Sequence, residues 1–229
     1  MPTTILLTSF QTWLPDQKSN ASDDLLLKLQ AENDPFPDQA LSLTFLRQLP
    51  VDVFPASDLA IAKIKHLQPD VVICCGMAES RSRLTVEAGA TPRYVVAQFY
   101  WFIYYIVLQK IFRFQGLSYF LSALLGNKTN VETHFLNTSV DLEELLEGLT
   151  ETEMSYDAGK FVCEGLYYQV LSYLRDYAPT TGCIFVHVPV LTTENISTIM
   201  TDFRLILSRL AVWATIQRQN QIRNITTAA

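Results

Sequence analysis

The sequence predicts an α/β fold of three layers, with helices on both faces of a mostly parallel central sheet. Short apolar runs rich in β-branched residues alternate along the chain with segments of helical period. Two of the runs, 70–76 and 182–190, are apolar on both faces, as central parallel strands are. With 229 residues, 49% apolar and 17% charged, the chain can bury a sizeable core in one domain, 1–229.

The predicted strands follow in chain order. The run "TTILLTSF" (3–10) is short and rich in β-formers, and "ALSLTFLRQLPV" (40–51) alternates between apolar and polar residues. The runs "DVVICCG" (70–76) and "GCIFVHVPV" (182–190) are apolar throughout and have turn-forming residues at their ends. These last two are expected at the centre of the sheet.

Four helices are predicted between and after these strands. Polar residues at 22–24 begin the first helix, and apolar positions repeat at helical spacing in the second, 57–68. The segment 158–178 is the most strongly amphipathic, and 193–219 forms a long helix near the C-terminus. Helices that alternate with strands in this way predict a sheet covered on both faces.

One apolar segment does not fit this alternation. The stretch "YVVAQFYWFIYYIVLQKIF" (94–112) is 19 residues long, which is enough to cross a bilayer. A single span would place the two halves of the predicted sheet on opposite sides of the membrane. We therefore interpret 92–127 as an apolar insertion in the domain, packed on it or at an interface of a homo-oligomer. A membrane-associated or partner-binding helix is disfavoured, although it stays open as an alternative.

Charge and composition exclude several classes of function. A net charge of −6 argues against a nucleic-acid partner, which would require a basic face. The four cysteines form no C-x-x-C pair and there are three histidines, so neither a metal site nor another cofactor is expected. No glycine-rich phosphate loop follows a strand. The first ten residues lack a basic region followed by a long apolar stretch, which predicts a reduced, cytoplasmic setting.

Three separated residues could form one catalytic site. Cys163 lies near the start of a predicted helix, where backbone N–H groups and the helix dipole favour a thiolate. His187 is expected at the carboxyl end of a buried strand, and Glu87 could orient its imidazole. Each residue also has an ordinary structural interpretation: a core cysteine, a buried histidine and a solvated glutamate. Spacing alone does not decide between the two interpretations.

Four motifs around these residues resemble, in order, those of pyroglutamyl peptidase I, the cysteine peptidases that remove an N-terminal pyroglutamate. They are "ILLTSFQTW", "PDVVICCGMAESRSRLTVEAGA", "SYDAGKFVCEGLYY" and "GCIFVHVPVL". The resemblance covers 1–91 and about 128–210. It implies that Glu87, Cys163 and His187 are the catalytic residues.

The resemblance also implies a set of substrate-binding residues, some of them altered. Aromatic residues would form the walls of a slot for the lactam ring, and one asparagine would help to bind it. Methionine replaces the glutamine that hydrogen-bonds the lactam in well-studied members, while an arginine is retained. The implied set is Phe10, Trp13, Asn20, Met77, Arg81, Phe161 and Val162.

The function that the resemblance implies is hydrolysis of the amide bond after an N-terminal pyroglutamyl-like residue, through a thiol acyl-enzyme. The partner would be a peptide with a blocked or small N-terminal residue. Three departures from the family favour an alternative: Met77, Glu164 in place of the asparagine after the nucleophile, and the aromatic segment that stands where the family has a loop containing "R-I-P-D-N". In that alternative, the protein is a catalytically weak relative that acts in interactions or at a membrane through its apolar insertion.

Overall fold

The strands and helices are those of a computed structural model, which describes residues 2–14, 16–32, 35–92 and 135–228. In chain order the elements are β1 (Thr3–Phe10), α1 (Ala21–Gln30), β2 (Leu41–Leu49), α2 (Val53–Leu67), β3 (Val71–Met77), β4 (Leu84–Glu87), β5 (Gly89–Ala90), β6 (Leu136–Asn137), α3 (Leu142–Leu146), β7 (Thr152–Ser155), α4 (Val162–Tyr177), β8 (Gly182–Val188) and α5 (Ile196–Ala228).

The main sheet has the strand order β2-β1-β3-β8-β4-β7. Strand β1 pairs in parallel with β2 and β3, and β3 pairs in parallel with β8. Strand β4 runs antiparallel to β8 and parallel to the edge strand β7, so the sheet is mostly parallel. Strands β5 and β6 form a separate antiparallel pair. The predicted fold class is confirmed.

Two apolar clusters separate the sheet from the helices on its two faces. One cluster packs residues of α1, α3 and α5 against the sheet. The other packs α2 and α4 against the opposite face, and it includes Tyr167, Cys183 and Phe185. Because successive side chains of a strand point to opposite faces, each central strand contributes to both clusters. This is why the runs at β3 and β8 are apolar on both faces, with His187 the exception in β8.

Capping residues and a turn set where three helices begin, and two of these starts differ from the predicted ones. Helix α1 begins at Ala21 because the side chain of Asn20 accepts from the N–H of Ser22. Helix α2 begins at Val53, four residues before the predicted start, behind the capping residue Asp52. Helix α4 begins four residues after the predicted start. The N–H of Gly159 bonds the side chain of Asp157, and Gly159 has a φ of 91°, which a turn can use but a helix cannot.

Strands β4, β5, β6 and β7 were not predicted, and β4 carries Glu87 of the site. Strand β4 is four residues long and follows the loop after β3. Strand β7 is equally short and contains polar residues.

Helix α5 begins at Ile196 and ends at Ala228, nine residues beyond its predicted end.

The predicted insertion at 92–127 lies, apart from Pro92, outside the described residues, so it stays a prediction. No helix in the described part of the chain is both long and apolar enough to cross a membrane.

Candidate active site

Three elements bring Glu87, Cys163 and His187 to one face of the sheet, near the carboxyl ends of β3 and β8. His187 is the last residue but one of β8, and Glu87 is the last residue of β4. Cys163 is the second residue of α4, which packs on this face. The antiparallel pairing sets Thr85 opposite His187, so Glu87 lies two residues beyond it and reaches back to the imidazole.

The pair formed by Glu87 and His187 is buried and short. The Nδ1 of His187 lies 2.7 Å from Oε1 of Glu87. Burial alone would lower the pKa of His187, but hydrogen bonds to Cys163 and Glu87 and their negative charge raise that pKa to about 9. Since Nδ1 bonds the carboxylate, Nε2 is the ring nitrogen left for the sulfur. The imidazole therefore holds its proton near neutral pH.

A glycine makes the space for this sulfur. Gly76 of β3 is the register partner of His187 in β8. A Cβ added at Gly76 would lie 2.7 Å from Sγ of Cys163 and 2.9 Å from Cζ of Phe185. Both distances are shorter than ordinary carbon contacts. The thiol of Cys163 thus occupies the space that a side chain at Gly76 would take, next to the imidazole.

The start of α4 supports a negative charge at Cys163. The capping residue, Phe161, forms no side-chain hydrogen bond to the first turn. Backbone N–H groups in a helix's first turn have no partner within the helix, and they carry its positive dipole end. A thiolate or an oxyanion near Cys163 would be stabilised by these groups.

Arg81 and Tyr167 hold Glu87 from two sides. The Nη2 of Arg81 is 3.7 Å from Oε1 of Glu87 and donates to the carbonyl of Asp157 at 3.2 Å. The buried hydroxyl of Tyr167 donates to the backbone carbonyl of Glu87 at 3.1 Å. These contacts position the carboxylate and supply a positive charge to it.

The residues predicted to form an aromatic slot differ in burial. Phe10 is buried in the cluster under α2 and α4. Trp13 and Phe161 are exposed, by 62% and 73% of their side-chain reference area. Val162 is half-buried at the start of α4. Cys163 is half-buried, and it and Val162 pack at the margin of the cluster that contains Phe10.

Asn20 and Met77 have polar contacts within the protein. The side chain of Asn20 accepts from the N–H and hydroxyl of Ser22, and its Nδ2 donates to the carbonyl of Gln11 at 3.1 Å. The Sδ of Met77 accepts from the N–H of Ala21 at 3.3 Å and from Nε2 of Gln17 at 3.7 Å. Asn20 thus fixes the junction between the loop after β1 and α1.

Several residues of the site were missed from the sequence. Gly76 and Tyr167 act through tertiary contacts, and the ring of Phe185 lies 4.8 Å from that of His187. The carboxylate of Glu164 is buried and accepts from both the N–H and the hydroxyl of Thr91. The sequence signal for Gly76 was its place at the end of a buried strand, which was interpreted only as a strand terminus.

The arrangement suits nucleophilic chemistry with a general base. In the part of the chain that the structure describes, no group of three or more histidine, cysteine, aspartate or glutamate side chains could hold a metal ion. A cavity of about 530 Å³ opens at the opposite edge of the sheet, lined by Asp70, Thr181 and Arg218 among others, and is distinct from the site.

Comparisons with known proteins find similar sequences and folds. The chain is 28% identical, over 160 residues, to the pyrrolidone-carboxylate peptidase of Vibrio campbellii; the match spans 66% of this chain and 64% of that relative. Pyroglutamyl peptidase I from Bacillus amyloliquefaciens superposes with a TM-score of 0.62 at 18% identity, over 93% of this chain and 96% of that structure. The predicted resemblance to pyroglutamyl peptidase I is confirmed.

The same fold extends to a thermophilic relative. Pyrrolidone carboxyl peptidase from Fervidobacterium islandicum superposes with a TM-score of 0.60 at 18% identity, over 91% of this chain and 98% of that structure. No protein-family model matches the chain. The likeness to these two structures thus covers more than nine-tenths of the chain, at 18% sequence identity.

Proposed function

We propose that the protein is a cysteine peptidase that hydrolyses the amide bond after an N-terminal pyroglutamyl-like residue. The observation that carries this proposal is the continuous contact from Glu87 to His187 to Cys163. A core cysteine would not require a neighbouring base, and a structural histidine would not require a buried carboxylate at 2.7 Å.

The first half of the reaction forms an acyl-enzyme. The sulfur of Cys163 attacks the carbonyl carbon of the N-terminal residue, and the carbonyl oxygen becomes an oxyanion held by N–H groups at the start of α4. As the C–N bond breaks, the His187 imidazolium gives its proton to the leaving amine. A thioester to Cys163 and a peptide with a free N-terminus result.

The second half releases the acid. His187 is now neutral and takes a proton from water, which attacks the thioester carbon. The C–S bond breaks and the sulfur leaves as a thiolate beside the reprotonated imidazole. Glu87 stabilises the imidazolium and keeps Nε2 directed at the sulfur, as the carboxylate does in other nucleophile–histidine sites. Arg81, through its contact with Glu87, acts as a positioning residue.

The substrate class follows from the surface around the sulfur. Trp13 and Phe161 are exposed, so their rings are available to cover a small flat ring when it binds. A pyroglutamyl ring has no free amine and carries no charge, so an apolar site can accept it at little desolvation cost. Phe10 and Val162 would support this surface from below.

Release of a fluorophore from a pyroglutamyl amide tests the proposal, with the prolyl and alanyl amides of the same fluorophore as comparisons. We expect cleavage of the pyroglutamyl amide alone, and none by the Cys163→Ala variant. The proposal fails if folded protein cleaves none of the three and Cys163 also resists iodoacetamide at neutral pH. That result would favour the alternative of a weak relative acting in interactions.

A further inference from the structure

The residue after the candidate nucleophile, Glu164, forms a buried contact with a distant part of the chain. Glu164 follows Cys163 in the first turn of α4 and is 3% exposed. Its Oε1 accepts from the backbone N–H of Thr91 at 3.2 Å and also from the hydroxyl of Thr91. Thr91 is buried and directly follows β5. Two hydrogen bonds therefore tie the turn that carries Cys163 to the end of β5.

The start of α4 lacks the anchor that other helices of this protein have. Helices α1, α2 and α3 each begin behind a residue whose side chain accepts from the first turn: Asn20, Asp52 and Asp141. Phe161, in the same position before α4, forms no such bond, and its ring is mostly exposed. A capping side chain at α4 would compete with an oxyanion for the N–H groups of the first turn. The contact with Thr91 anchors this turn without a capping side chain on those groups.

The other end of this contact is fixed to the site as well. Glu87 is the last residue of β4, and the residues between it and Thr91 are held by backbone pairing. The N–H of Ala88 donates to the carbonyl of Ser155 at 2.7 Å, and the next two residues form β5, which pairs with β6. The anchor of the nucleophile's turn and the carboxylate that binds the imidazole therefore belong to one short segment.

We propose that Glu164, through its contact with Thr91, is the positioning residue that holds the sulfur of Cys163 against the imidazole. Glu87 contacts His187, and His187 contacts Cys163. The link from Glu164 to Thr91 closes this path, so the sulfur cannot move without breaking a buried contact. The inference rests on the proposed function, and it gives a role to a residue whose difference from the family's asparagine favoured a weak relative.

Three substitutions and one matched control test this role. Glu164→Ala removes the contact, Thr91→Val removes the hydroxyl at similar side-chain volume, and Glu164→Gln keeps an oxygen that can accept both bonds. The control is Asp202→Ala in α5, which packs on the other face of the sheet. The buried carboxylate of Asp202 also accepts from one N–H, that of Glu151 at 2.7 Å, and from one hydroxyl, that of Thr152 at 2.9 Å.

The first readout is turnover of the pyroglutamyl amide. We expect Glu164→Ala to lower kcat about 10²-fold with KM nearly unchanged, because a displaced sulfur loses reaction geometry and not substrate contacts. Thr91→Val should lower kcat about tenfold, since the backbone N–H of residue 91 still donates. Glu164→Gln should keep most of the wild-type kcat. Asp202→Ala should lose stability in denaturant unfolding, with kcat per folded molecule unchanged.

The second readout, titration of His187 by NMR, requires no substrate. Burial lowers the pKa of His187, but hydrogen bonds to Cys163 and Glu87 and their negative charge raise that pKa to about 9. If the sulfur moves away in Glu164→Ala, one of these bonds is lost and the pKa of His187 should fall. The pKa should stay at its wild-type value in Asp202→Ala, which leaves the start of α4 in place.

Wild-type kcat and an unchanged His187 titration in Glu164→Ala would overturn the inference and leave the proposed function intact. Equal losses of kcat per folded molecule in Glu164→Ala and Asp202→Ala would overturn it too, because any buried carboxylate would then have this effect. Should Glu164→Ala fail to fold, wild-type kcat and titration in Thr91→Val overturn the inference. Absence of turnover by the wild-type protein would overturn the proposed function, and the His187 titration alone would then decide whether Glu164 places the sulfur.

Discussion

Two cysteines of the same core cluster, Cys163 and Cys183, have very different surroundings. Cys183 is the second residue of β8, is 1% exposed, and burial raises the pKa of its thiol well above its usual range. Cys163 is half-buried at the start of α4 and contacts the imidazole at the other end of β8. One strand therefore carries a buried thiol near its beginning and the partner of the candidate nucleophile near its end.

The carboxylates at the two edges of the sheet also have different partners. At the amino edge, Asp70 accepts from the N–H of Thr4 at 2.8 Å and lies 3.5 Å from Arg218. These contacts link strand starts to the last helix. At the carboxyl edge, Glu87 is directed at a group that can gain or lose a proton. The comparison shows that residues of one type have different chemical roles in this protein because their neighbouring groups differ.

The largest expected effect separates the two cysteines directly. Cys163→Ala should lower kcat/KM for the pyroglutamyl amide by at least about 10⁴-fold, since the covalent route is lost. Cys183→Ala removes a buried sulfur and should cost about 1 kcal/mol of unfolding free energy with kcat nearly unchanged. Steady-state kinetics of both variants measure kcat/KM, and denaturant unfolding measures their unfolding free energy. Equal losses of activity would contradict the contrast.

A smaller effect is expected from two glycines at opposite ends of the sheet. Gly76→Ala should lower kcat about 10²-fold, because its Cβ displaces the sulfur from the imidazole. Gly182→Ala is the matched control: its Cβ would meet Cζ3 of Trp213 at 2.5 Å, at the start of β8. That variant should lose stability while the folded fraction keeps its activity. Comparable losses of kcat per folded molecule would show that the space at Gly76 is not specific.

The smallest effect concerns pH. The raised pKa of His187, about 9, means that its proton is lost as the pH rises through that value, so kcat/KM should fall on the alkaline side. Glu87→Gln removes one of the charges that raise this pKa, and the alkaline limb should move about one unit to lower pH. A pH–rate profile of both proteins measures it, and an unmoved limb would exclude Glu87 as the partner that tunes His187.

The sequence allowed the sheet centre and the three candidate residues to be predicted, for different reasons. Strands β3 and β8 are buried on both faces, so their apolar runs are unmistakable. The short strand β4 was missed because four residues carry almost no periodic signal and its reversal depends on pairing with β8. Glu87 was therefore proposed as the partner of His187 without its strand.

The burial of the aromatic residues predicted to bind the substrate could not be predicted from the sequence. Phe10, Trp13 and Phe161 are all aromatic, yet one is buried and two are exposed. Their exposure depends on where the loop after β1 and the turn before α4 lie in space, which local sequence does not encode. Gly76 could not be recognised as space for a sulfur before β3 and α4 were brought together.

The pairing of Glu87 with His187 joins residues that are 100 positions apart in the chain. Closing a loop of that length comes late in folding relative to local helix formation, because its entropy must be overcome before its contacts form. During refolding, the rate at which iodoacetamide alkylates Cys163 should reach its native value only when β8 has docked between β3 and β4. The thiol thus reports when the polypeptide has finished assembling.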